Sequence, residues 1–90
     1  MTDHTLLRTR DLRLEGASVR IDVEEDDAGL RSWHGTVRTP PGGVALLGTE
    51  FAIVTPDMRH GQAFGVQFDL EQGDALGTLT FHGNGRLYGG

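Results

Sequence analysis

The chain is 90 residues long, with 37% hydrophobic residues, 14 Gly and no Cys, and its 13 acids against 8 Arg leave a formal net charge of −5. A chain this short holds one core, so it reads as a single domain over residues 1–90, and it buries only about 60–65% of its extended surface. The missing cysteines exclude a disulfide framework and thiolate zinc sites. The negative balance argues against a nucleic-acid partner, since phosphate contacts drive most of that affinity.

The amino terminus, Met1-Thr2-Asp3-His4-Thr5-Leu6-Leu7-Arg8, has no apolar core of signal-peptide length. No run approaches the roughly 18 apolar residues that a membrane span needs. The expectation is an acidic cytoplasmic protein with no membrane partner. All of its cationic residues are Arg, which reads as compositional bias before it reads as selection for bidentate recognition.

Residues 1–11 carry no clean periodicity and read as a loose or edge segment. Leu12 and Leu14 begin an alternation that Gly16 interrupts as a bulge or turn. Val19, Ile21 and Val23 then alternate with Arg20, Asp22 and Glu24, predicting a strand that runs into the acidic loop Glu25-Asp26-Asp27-Ala28-Gly29. From Leu30 to Thr39 a further strand puts Trp33, Gly35 and Val37 on one face and His34, Thr36 and Arg38 on the other. Pro40-Pro41-Gly42-Gly43 breaks the ladder and predicts a loop between sheet segments. Val44–Leu47 and Phe51–Val54 follow as one broken strand or two short ones, and Pro56–Gly61 as a loop.

The stretch Phe64-Gly65-Val66-Gln67-Phe68-Asp69-Leu70 is the clearest alternation in the chain. Its period of two predicts a strand with Phe64, Val66, Phe68 and Leu70 on the core. A turn at Gln72-Gly73-Asp74, a returning strand with Gly77, Leu79 and Phe81 inward, a turn at His82–Gly85 and a short closing strand or tail at Arg86-Leu87-Tyr88 complete the chain. Short strands, Gly-rich turns and no helical period predict an all-β fold: a small antiparallel β-barrel or sandwich of about six to eight strands.

Three His-Gly dipeptides place His34, His60 and His82 as a candidate metal set, because three imidazoles suit an open zinc site. The facing weakens it: with Trp33 and Phe81 inward, His34 and His82 point outward, and solvated histidines are the plainer reading. Asp22, Glu24, Glu25, Asp26 and Asp27 lack the Gly and Glu that a calcium loop needs and read as a solvated turn. Arg8, Arg10 and Arg13 form the one basic cluster, a candidate anion-binding site. Their spacing is not that of the arginine pair opening the nucleotide-binding PilZ barrels, and no family is claimed.

Catalytic templates fail one after another. The serines are Ser18 and Ser32, and Arg20 stands where a nucleophile elbow beginning at Gly16 needs Gly. Gly83-Asn84-Gly85 lacks the rest of a dinucleotide fingerprint, and Asp69 with Glu71 is ordinary decoration of a strand face. The expectation is a non-enzymatic protein–protein interaction or self-assembly module, a homo-oligomer or the partner of another protein, that needs no cofactor. Its contact surface is expected at an exposed sheet edge or around Trp33 and His34. The alternative is a small ligand-binding barrel, taking an anion through Arg8, Arg10 and Arg13 or a metal through His34, His60 and His82.

Overall fold

The fold comes from a computed structural model that describes residues 4–70 and 75–89. Six antiparallel strands form a closed barrel: β1 Thr5–Arg8, β2 Arg13–Glu25, β3 Arg31–Thr39, β4 Glu50–Val54, β5 His60–Leu70 and β6 Gly77–Gly83. Around the barrel the order is β1-β2-β3-β6-β5-β4, with β4 pairing back onto β1. The sequence-predicted turn at Gln72-Gly73-Asp74 lies outside the described residues. No helix among the described residues is long and apolar enough to cross a membrane.

The alternating strands behave as the period-two pattern demands. Trp33, Val37, Phe51, Ile53, Leu79 and Phe81 all point inward and are almost fully buried. Phe81 is the hub: its ring meets Trp33 and Phe51 edge-to-face, with centroids 6.1 and 6.2 Å apart. A six-stranded barrel is narrow, so this layer of side chains fills it, and ligands must be sought outside.

Two shorter segments outside β5 depart from the sequence reading. Thr5–Arg8, expected as a loose or edge segment, is a full member of the barrel, pairing Arg8 with Arg13 on one side and Ala52 on the other. Its outward residues are polar or half-exposed while Leu7 is wholly buried, a pattern too short to stand out over four residues. Pro41–Leu46, part of which reads as a strand, is a 3-10 helix. Proline at the first turn suits the helical start, and the helix delivers Leu46, fully buried, to the core.

The central stretch shows the largest correction. Along β5 the inward positions are Gly61, Ala63 and Gly65, while Phe64 is 42% and Val66 47% exposed. A register shift between Gly65 and Gln67 then inverts the phase. Beyond it Phe68 packs against the core, whereas Leu70, 59% exposed, marks the end of the strand. The predicted single apolar face is therefore two faces joined by a β-bulge. Gly65 shows why the outward phase wins here: a Cβ on it would sit 2.2 Å from the carbonyl oxygen of Leu46. The inside of the barrel at that level has no room for a side chain, let alone for two aromatic rings.

Candidate interaction face and basic trough

Because neighbouring strands are in register, outward residues form rows that run around the barrel. One row follows the pairs Glu50–Phe64, Phe64–His82, His82–His34 and His34–Asp22. Phe64 thus stands at the surface between a carboxylate and an imidazole. Val66 projects from the bulge beside it, and Leu47, 37% exposed, bridges to the intervening Gly65. Phe64 and Val66 thus put two large, exposed apolar side chains next to each other on β5.

The same row settles the placement of the histidines. His34 and His82 are cross-strand neighbours with ring centroids 6.1 Å apart, and His34 Nε2 lies 3.5 Å from Glu24 Oε1. His60, expected in a loop, begins β5, four residues before the His82 partner Phe64 and so about 13 Å away along the strand. Its ring stacks on Tyr88, with centroids 5.4 Å apart. The three histidines do not converge, and among the described residues no group of three His or acidic side chains is arranged to hold a metal.

Trp33, expected as part of a contact surface, is 4% exposed. Its indole lies over Gly83, where a Cβ would come within 2.1 Å of the ring, and Nε1 donates to the Gly85 carbonyl at 3.0 Å. The tryptophan therefore fastens the segment after β6 to the barrel. Of the pair Trp33 and His34, it is His34 that reaches the surface.

The acidic loop is a hairpin tip. Asp26 Oδ1 accepts from the backbone N–H groups of Ala28 and Leu30, both at 2.9 Å, and Gly29 has φ +83°. The arm below it carries a free edge: β2 pairs with β1 through Gly16, and beyond that point only with β3 among the described residues. Arg20, Asp22 and Glu24 line that edge, which is how natural sheets discourage uncontrolled pairing.

At the opposite end of β2 lie Arg8, Arg10 and Arg13. Arg8 and Arg13 face each other directly across the β1–β2 pair on the outer surface, with Arg10 at the turn between them. Like charges in that position destabilise a sheet. None of the three has an ion-pair partner among the described residues. Arg8 also lines a trough of about 540 Å³ on the outer wall, over Ala52 and Val54 and against Gln62, His60, Tyr88 and Arg86. The sequence offered no signal for Arg86, 78 residues away and in an irregular tail. A second concavity, about 910 Å³, opens between the acidic arm and the same tail, and Gly85 and Arg86 line both.

The family models contain no match to this chain, and neither the curated proteins nor the solved structures include one that matches it. Its surface chemistry alone has to carry a functional reading.

Proposed function

We propose that the protein is a non-enzymatic interaction module that associates with a second copy of itself through the outer face of β5. The observation behind this reading is the exposure of both Phe64 and Val66 on β5. A chain with four Phe in 90 residues has few large apolar groups for its core. Placing one of them in water costs stabilisation that burial would otherwise provide, about 1.5–3 kcal/mol for a Phe side chain. Contact with an equivalent face recovers that burial, and an isologous pair needs only one patch. The polar flanks Glu50, His82 and His34 match the polar rim of an interface around an apolar centre.

Light scattering coupled to size exclusion tests this directly. The expected mass is twice 9.7 kDa or more, unchanged by EDTA because no metal holds the assembly together. The double variant Phe64→Ser, Val66→Ser should be monomeric with an unchanged far-UV spectrum. A wild-type protein that stays monomeric at millimolar concentration would overturn the reading.

A further inference from the structure

We infer that the trough beside Arg8 and Arg86 is a binding site for a small organic anion, a carboxylate or phosphate attached to a flat apolar body. The site adjoins the Phe64–Val66 patch, because His60 and Gln62 also point outward from β5, but binding there does not require self-association. Its charge is the first reason. Arg8 faces Arg13 across the strand pair, and Arg86 approaches from the tail, with no carboxylate paired to any of them among the described residues. Of the acids on this wall, Glu50 already accepts from Asn84 Nδ2 at 2.8 Å, and Glu15, opposite Leu6, forms no ion pair with Arg8 or Arg13. An arginine fork matches two oxygens of a carboxylate or phosphate, and an anion seated between Arg8 and Arg86 offsets the cross-strand repulsion.

The shape is the second reason. In the row Arg8–Ala52–Gln62 the middle residue is a methyl group, so the wall dips between two long polar side chains. Val54 and the stacked pair His60–Tyr88, interplanar angle 20°, bound the dip on one side with a flat apolar surface. That wall is held in place. The backbone N–H of Tyr88 donates to the His60 carbonyl at 2.8 Å, and the His60 N–H donates to the Tyr88 carbonyl at 2.9 Å. About 540 Å³ lies within the range of roughly 300–1,000 Å³ typical of small-molecule sites. A planar ring fits over Ala52 and against Tyr88 while its anionic group reaches the guanidinium groups.

The test is a titration of the isotope-labelled protein followed by amide resonances. The probes are 2-naphthoate, adenosine monophosphate, inorganic phosphate and the uncharged 2-naphthalenemethanol. Saturable shifts confined to Ala52, Gln62, Asn84 and Tyr88, which line the trough, are expected with naphthoate or the nucleotide. Inorganic phosphate, lacking the apolar body, should bind more weakly. Arg8→Gln and Arg86→Gln, both at exposed positions, should each weaken binding at least about tenfold, as loss of a charge-assisted contact does. Arg10→Gln, which does not line the trough, should leave it intact. Unsaturable shifts, equal binding of the uncharged alcohol, or undiminished binding by Arg8→Gln and Arg86→Gln would each overturn the proposal.

Discussion

Met58 and Ser18 hold positive φ angles of 71° and 52° although neither is glycine. Met58 sits where the turn after β4 swings back into β5, and its N–H donates to the Thr55 carbonyl at 3.0 Å. A left-handed conformation costs an L-residue about 1–2 kcal/mol, and the extra unfolded freedom of glycine returns about 0.5–1 of that. Met58 is 72% exposed, so little packing is lost with its side chain. Met58→Gly should therefore raise stability by about 0.5–1 kcal/mol, seen as a higher Tm in thermal denaturation. The same turn carries Asp57. Thr55 Oγ1 donates to its Oδ1 and Arg59 Nε to its Oδ2 at 2.9 Å, which together hold the carboxyl below its ordinary value of 3.8. A lowered folded-state value means the contribution is complete above the unfolded value and disappears as pH falls through the folded one. Asp57→Asn should thus lower the Tm at pH 7, and the gap from wild type should close in acid below pH 3.8. A gap that stays constant with pH would assign the effect to the turn geometry rather than to the charge.

At the scale of the element, β5 carries the sharpest contrast. Phe64 and Phe68 are four positions apart and the same residue, yet the bulge places one outside and one against the core. Phe68→Ala should cost about 2–3 kcal/mol, less than a fully buried ring because Phe68 is half-buried, and Phe64→Ala under about 1 kcal/mol in the monomer. Denaturant midpoints at matched slope measure both. Equal losses would mean that the bulge is absent in solution. Much of the barrel was legible before the structure: Val37, Leu79 and Phe81 alternate inward where the period of two puts them. What misled was the assumption that large apolar residues choose the inner face. In a barrel this narrow, steric room decides, and Gly61, Ala63 and Gly65 are the inner face because little more than hydrogen fits there. The run of small residues in the opposite phase was the available signal. The basic trough was half legible, since Arg8 stood out in a cluster while Arg86, Gln62 and Tyr88 reach it only through closure of the barrel. Neither the pairing of His34 with His82 nor the removal of His60 could be read from three identical dipeptides, because strand order decides both.

For the molecule as a whole, closure is the demanding step. β1 must find β4, and β3 must pair with β6, across some forty residues in each case. Strand pairs this distant in sequence lose chain entropy before any contact compensates for it. Leu7 illustrates the dependence: it is wholly buried, on a strand four residues long that touches both flanks of the seam. Trp33 provides the reporter. It is the single tryptophan, and it is buried only when β3, Gly83 of β6 and the tail at Gly85 have come together. Stopped-flow refolding followed by its fluorescence should therefore report the late, non-local assembly, with a relaxation in the range of about milliseconds to seconds that barrels of non-local pairings show. The monomeric Phe64→Ser, Val66→Ser variant separates folding from association. A tryptophan signal recovered within about 100 μs would instead mean that local collapse buries the indole, since pairings this distant in a barrel do not form so fast. The barrel would then close around a core already formed, and Leu7→Ala would speed unfolding while leaving the refolding rate unchanged.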